Sequence, residues 1–201
     1  MRDVGAWCDI EFENEYSNPI YYAKHMYSDE NTEITDLVIP KGPTSISDYA
    51  FYNCSGLKSV TIGNSVTEIG KHAFYNCSSL ESVTIGNSVT KIGSWAFSGC
   101  NALATLYSLN TTPPSVDSNN FTNNQYMTLN VFVPQLSLED YKSANVWKEF
   151  LNLKGFDPTG VESVKGDAIN GNNIYYDLRG NRLDAPKKGL NIINGKKVIV
   201  K

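Results

Sequence analysis

The strongest constraint on this chain is that it repeats itself every 23 residues. Residues 57–79 read LKSVTIGNSVTEIGKHAFYNCSS and residues 80–102 read LESVTIGNSVTKIGSWAFSGCNA, while 34–56, ITDLVIPKGPTSISDYAFYNCSG, keeps the same apolar positions. In register the columns are Ile34/Leu57/Leu80/Leu103, Leu37/Val60/Val83/Leu106, Ile39/Ile62/Ile85, Ile46/Ile69/Ile92, Ala50/Ala73/Ala96, Phe51/Phe74/Phe97 and Cys54/Cys77/Cys100. Every column is apolar or small. A unit this short cannot enclose a core of its own, so such units must stack and bury each apolar face against the next.

Each column has a local role. Val60-Thr61-Ile62 alternates as a short β-strand with β-branched residues inward and the hydroxyl outward, and Gly63-Asn64 ends it as a turn. Ile69, Ala73, Cys77 and Leu80 then recur at helical spacing, which predicts one or two helical turns carrying an apolar stripe back to the core. A period of 23 lies within the roughly 20–29 residues of leucine-rich repeats. The expected fold class is therefore an α/β solenoid of leucine-rich-repeat type. It should be right-handed, with a parallel sheet on one side, strands centred near 37–39, 60–62, 83–85 and 105–107, and short helical turns on the other.

The organisation that follows is a repeat domain over 1–157, a linker over 158–173 and a small C-terminal appendage over 174–201. Within the domain, 1–33 is expected to be an N-terminal cap, in which Trp7, Ile10 and Phe12 repeat the strand pattern, and 34–106 the regular repeats. Residues 107–157 read as a degenerate unit (Phe121, Met127, Leu129, Val131, Val133) closed by a capping helix. That helix should begin at a capping box, Ser137-Leu138-Glu139-Asp140, and carry Tyr141, Ala144, Trp147 and Leu151 on one face. Near the end, Leu190, Ile192 and Ile193 are separated from Val198, Ile199 and Val200 by Asn194-Gly195, the signal of a β-hairpin.

With 41% apolar and 19% charged residues the chain reads as an ordinary globular protein. The net charge of −4 is too small to point to a polyanion partner. It is uneven, since acids predominate in the first fifty residues whereas 177–201 carry seven Lys/Arg against two Asp. No apolar run approaches the roughly 20 residues of a membrane span, and Met1-Arg2-Asp3 is not followed by the apolar stretch of a signal peptide.

Chemistry is sparse. Zinc ligation needs converging thiolates, usually in C-x₂₋₄-C pairs, whereas Cys54, Cys77 and Cys100 stand 23 apart. They are expected to be buried, reduced and metal-free, and Cys8 has no evident partner. His25 and His72 belong to no recognisable catalytic motif, and no glycine-rich phosphate loop follows a strand. The reading is a non-enzyme without cofactor or metal. The basic tail, lacking interleaved aromatics, predicts no nucleic-acid partner.

Two surfaces remain. Tyr49, His72 and Trp95 precede the Ala-Phe pair, and Tyr52, Tyr75 and Ser98 follow it, so stacking should build an outer strip of Tyr49, Tyr52, His72, Tyr75 and Trp95. Tyr and Trp are the residues that binding hot spots use; the strip is either a contact surface or a cover over the backs of the repeats. The outward residues of the strands, Asp36, Val38, Ser59, Thr61, Ser82, Thr84, Thr105 and Tyr107, form a small, flat, hydroxylated face on which Thr61, Thr84 and Tyr107 are further binding candidates.

The string x-I-G-x-x-A-F-x-x-C-x-x-L-x-x-V-x-I, present from Ile69 to Ile85 and again from Ile92, resembles the BspA-like leucine-rich repeats of bacterial surface proteins. The resemblance implies a secreted or cell-surface location, with the export signal removed, and an interaction module, adhesive in some members, whose ligand is a protein or a glycan. A structural envelope or spacer protein without specific ligand is the alternative, and an unrecognised enzyme a more remote one. The segment Tyr176-Asp177-Leu178-Arg179-Gly180-Asn181-Arg182, followed by Pro186 to Lys197, is similar to the C-terminal sorting tails of type IX secretion cargo. Oligomeric state is left open.

Overall fold

The computed structural model describes residues 3–156 in full and, beyond them, the backbone of five strands. The chain divides into two compact units, Met1–Phe156 and Asp157–Lys201. The first opens with helix α1 (Val4–Cys8) and helix α2 (Ile20–Ala23), after which each repeat contributes one long and one short strand: β1 (Asp36–Ile39) and β2 (Ser45–Ile46), β3 (Ser59–Ile62) and β4 (Glu68–Ile69), β5 (Ser82–Ile85) and β6 (Lys91–Ile92), β7 (Thr105–Ser108) and β8 (Ser115–Val116). Helix α3 (Asn123–Thr128), β9 (Asn130–Pro134), helix α4 (Leu138–Ser143) and β10 (Asn152–Phe156) complete it.

The long strands form one parallel sheet in the order β1-β3-β5-β7-β9-β10, and the short ones a second parallel sheet, β2-β4-β6-β8. Register follows the columns: Leu37 lies opposite Val60, Val60 opposite Val83, Val83 opposite Leu106, and Leu106 opposite Val131. The leucine-rich-repeat solenoid with a parallel sheet on one side is thus the observed architecture. Its core is the set of columns, with Leu57, Val60, Ile62, Val66, Ile69, Phe74 and Leu80 almost wholly buried, each worth about 1.5–3 kcal/mol against exposure. Gly86 is required by close approach, because a Cβ there would stand 2.6 Å from the carbonyl oxygen of Gly63 in the preceding coil.

The backs of the regular repeats are not the helical turns that the spacing predicts. Alternate amides leave the coil: Tyr49, Phe51 and Asn53 donate to the carbonyls of Lys71, Ala73 and Tyr75, while Ala50, Tyr52 and Cys54 bond locally to Ser47, Tyr49 and Phe51. The next coil repeats this, with His72, Phe74 and Asn76 donating to Ser94, Ala96 and Ser98. A helix would keep all of these bonds within the segment. Sending every second one to a neighbour instead requires left-handed backbone at Tyr49, Asn53, His72, Asn76 and Trp95, with φ between 55° and 61°.

The ends also differ from expectation. Trp7 lies in α1, capped by the Asp3 carboxylate, and not in a strand, and Ile10 is exposed. The capping helix stops at Ser143 because Ala144 is extended and Val146 has a positive φ of 69°; Ser137 makes no side-chain cap. Trp147 and Tyr141 are fully buried, but Leu151 is 75% and Met127 55% exposed. No helix among the described residues is long and apolar enough to cross a membrane.

Where stacking stops, side chains replace the missing coil. At the front, the Asn18 amide donates to the carbonyls of Tyr49 and Ala50, and the Trp7 indole N–H to Ala50 at 2.8 Å. At the back, Asn120 accepts from the Phe97 amide at 3.1 Å and donates to the Gly93 carbonyl. Farther on, the Trp147 indole donates to Pro114 and the Tyr141 hydroxyl to Asn110.

In the second unit β11 (Val161–Val164), β12 (Tyr175–Tyr176), β13 (Arg182–Leu183), β14 (Gly189–Ile193) and β15 (Lys196–Val200) form a sheet in the order β11-β15-β14-β12-β13. β14 and β15 pair antiparallel, with Ile193 opposite Lys196, and the Asn194-Gly195 turn expected between them lies outside the described residues. The 158–173 stretch expected as a linker contains β11, paired parallel with β15; its β-branched ends, Val161 and Val164, suit a strand.

Two expectations follow. Asn120→Leu strands the Phe97 N–H, leaves the Gly93 carbonyl only its bond from the Ala96 N–H, and should destabilise the protein by about 1–3 kcal/mol; a denaturant titration showing no loss would deny that this amide caps the stack. Cys54, Cys77 and Cys100 are buried, with the Cys77 and Cys100 thiols donating to the carbonyls of Phe51 and Phe74 at 3.2 Å. Burial pushes the Cys54 thiol up to about 12 and holds Cys77 well above the ordinary thiol range, which suppresses the reactive thiolate. Thiol labelling should be slow in the native protein and complete after denaturation, and fast native labelling of all three would contradict the packing.

Candidate functional site

The alternating hydrogen bonds on the backs of the coils turn successive side chains inward and outward. Phe51, Phe74 and Phe97 stack inside, 5.1 and 5.4 Å between centroids. Outside, the left-handed residues carry their own stack: Tyr49 on His72 at 5.3 Å and His72 on Trp95 at 6.3 Å, each pair within 4° of parallel. Tyr52 stacks on Tyr75 at 4.9 Å, and the two columns touch at Tyr49–Tyr52, 5.9 Å, and His72–Tyr75, 5.1 Å. The five residues of the expected strip therefore meet, through turns and not along a helix face. Four are half-buried. Trp95 is 43% exposed because the next coil offers no ring: its backbone N–H meets the Asn119 side chain instead.

The strip continues past the first repeat onto the N-terminal cap. Tyr21 lies 5.7 Å from Tyr52, and Tyr16 and Tyr22 meet Tyr21 edge to face at 5.1 and 5.0 Å. These three rings were not predicted as site residues. The tyrosine-rich run from 16 to 22 is the only trace they leave in the sequence, and it is not in register with the repeat.

The second candidate set lies in one row of the long sheet: Val38, Thr61, Thr84, Tyr107, Phe132 and Lys154 are successive cross-strand neighbours. Thr61 is exposed and Thr84 and Tyr107 half-buried. Tyr107 stacks on Phe132 at 4.8 Å and meets Phe156 edge to face at 5.5 Å, while Lys154 Nζ stands 5.9 Å above the Phe132 ring. Phe132 and Phe156 belong to none of the sequence columns because the last units depart from the 23-residue period. The row and the strip occupy different sides of each coil.

Between the short strands and the C-terminal cap lies a cleft of about 630 Å³ lined by Asp48, Lys71, Lys91, Ser94 and Asp117. Much of its polar lining is engaged within the protein. Asp48 accepts from the Lys71 amide at 2.6 Å, Glu68 pairs with Lys91 at 2.6 Å, and Asp117 accepts from Ser94. The other imidazole, His25, is held by Glu33 at 2.6 Å. Among the described residues no group of three or more His, Cys, Asp or Glu could hold a metal ion.

Electrostatically the strip is a low-dielectric surface beside a carboxylate. Burial, then Glu15, pushes the Tyr52 phenol up to about 12. Burial, then the Lys71 ammonium, holds His72 below the usual imidazole range, against the opposing pull of Glu15 and Asp48, and its Nδ1 is buried without a hydrogen-bond partner. Because the folded pKa lies below the unfolded one, the unfolded chain takes up this proton first. The stability present above about pH 6.5 should fall as the pH drops through the folded value. His72→Phe keeps the stack and should flatten this part of the profile; melting temperatures measured from about pH 7 to about pH 5 with an unchanged slope would show that His72 does not contribute.

The repeats of this chain match the family model described as the BspA type leucine rich repeat region, in six copies over residues 25–142. None of the curated proteins matches the chain. The matched region extends beyond the three regular units to the cap and into the degenerate repeat, more than half of the sequence. Leucine-rich repeats of this kind typically present surfaces for protein partners and do not catalyse reactions. On the repeat columns, the two parallel sheets and this match, the protein belongs to the BspA-type leucine-rich-repeat family.

Proposed function

We propose that the protein is a secreted or cell-surface adhesive module whose ligand surface is the aromatic strip of Tyr49, Tyr52, His72, Tyr75 and Trp95. The observation that carries this reading is the left-handed backbone at Tyr49, His72 and Trp95. A non-glycine residue in that region costs of the order of 1–3 kcal/mol and persists where the surroundings over-determine it, which is often at binding sites. Glycine would relieve the strain at each position, yet three successive coils place a ring there.

The exposure of Trp95 at the end of a ring stack supports the reading, since a large aromatic face open to solvent is what a hot spot presents. The family supports a surface location and a protein ligand; a glycan is the alternative ligand class. Thr61, Thr84 and Tyr107 form a second surface, favoured by the Tyr107–Phe132–Phe156 cluster at its end. A spacer without ligand is the competing reading, in which the rings only cover the backs of the coils.

The test is a double variant, Tyr75→Ala with Trp95→Gly, glycine being chosen to avoid left-handed strain. Retention on immobilised host matrix proteins and on a glycan array is measured beside the melting temperature. The proposal expects at least a tenfold loss of affinity, more than about 1.4 kcal/mol, with less than about 1 kcal/mol of lost stability. A loss of about 3–5 kcal/mol, as for buried aromatics, with normal binding by the folded fraction, ends the assignment of the strip as the ligand surface, and absence of retention by the unaltered protein selects the spacer.

A further inference from the structure

The cap end of the strip differs in character from the repeat end. Tyr16 is 59% and Tyr22 67% exposed. Both meet Tyr21 at steep angles, 74° and 86°, so neither is covered by a parallel neighbour there as the rings within the stack are. Two large outward faces remain beside the half-buried Tyr21.

The segment that carries them is predominantly acidic. Residues 3–33 hold eight Asp and Glu against a single Lys, Lys24, and the one imidazole, His25, is tied to Glu33. Part of this charge works locally: Asp3 caps α1, and Asp29 accepts from the amides of Asn31 and Thr32. Asp9, Glu11 and Glu13 are exposed, and Glu15 shares the single turn Glu15–Ser17 with Tyr16, where its charge adds to the upward shift that burial gives the phenols of Tyr21 and Tyr52. Aromatic faces next to carboxylates suit a planar cation. Guanidinium stacks on a ring while pairing with carboxylate, whereas ammonium is a compact, strongly hydrated charge that does so less well.

We propose that the cap end of the strip, Tyr16, Tyr21, Tyr22 and Glu15, docks an arginine-bearing basic segment of a partner protein. This rests on the strip being the ligand surface, and it names the partner's chemistry. Guanidinium groups lie on the outer faces of Tyr16 and Tyr22, and the surrounding carboxylates select against acidic segments and set a salt-dependent association rate.

The test uses the full chain and three fluorescent decapeptides alternating glycine with arginine, lysine or glutamate, followed by anisotropy at low and high salt. The arginine peptide should bind, the lysine peptide several-fold more weakly, and the glutamate peptide not at all. Tyr16→Ala with Tyr22→Ala, both positions being mostly exposed, should weaken arginine-peptide binding about tenfold without moving the melting temperature. Glu15→Gln should reduce both affinity and salt dependence. Equal binding of arginine and lysine peptides, unaffected by the tyrosine pair, reduces the effect to bare charge attraction and overturns the proposal. Sedimentation showing self-association that the tyrosine pair abolishes makes the occupant a second copy, through its basic segment 177–201, and also overturns it. Failure of these arms while Tyr75→Ala with Trp95→Gly still abolishes matrix binding removes only the partner class. Indifference of both variants removes the strip as well.

Discussion

The structure rests on hydrogen bonds that run from one coil to the next. Along the long sheet these are the usual parallel ladder, but on the backs of the coils every second amide also crosses to its neighbour, as Tyr49, Phe51 and Asn53 do to Lys71, Ala73 and Tyr75. An α-helix would satisfy those groups internally and leave the backs of adjacent coils joined only by side-chain packing. Crossing them fixes the coil spacing, forces left-handed backbone at set positions, and makes the terminal coils incomplete, since a buried amide or carbonyl needs a partner. Asn18 and Asn120 fill that need with side-chain amides, which carry both a donor and an acceptor.

Packing obeys the same rule. A residue and its equivalent 23 positions later are spatial neighbours, so Phe51, Phe74 and Phe97 form one stack, and Gly63 and Gly86 approach too closely for a Cβ. The cysteines fit as small apolar groups, and the S–H bonds of Cys77 and Cys100 reach the preceding coil. Burial raises the pKa of Cys54 and Cys77, so the chemistry of these thiols is suppressed by the packing that uses them.

The aromatic strip is a product of this geometry. Left-handed turns hold Tyr49, His72 and Trp95 in line, and the next outward position aligns Tyr52 with Tyr75. The surface changes along its length, from exposed tyrosines among carboxylates at the cap to Trp95 where the rings run out. A solenoid lengthens such a strip by adding a unit, which suits an interaction surface better than a catalytic site, where reacting groups must converge on a point.

The repeat was legible in the sequence because stacking turns a sequence interval into a contact: the columns name the core residues, the strands and their register, and even the five rings that meet. The sequence also identified Trp147 and Tyr141 as parts of the cap. What it misjudged was the path of the backbone between columns, since Ile69, Ala73, Cys77 and Leu80 point inward equally from a helix or from an alternating turn. That choice depended on the neighbouring coil, whose carbonyls compete for the same amides and win, and no single unit contains that information. The same reason hid the continuation of the strip through Tyr16, Tyr21 and Tyr22 and the two rings, Phe132 and Phe156, that each meet Tyr107. Residues outside the period have no column to announce their neighbours, so only tertiary packing could bring them to the surface the repeats had begun.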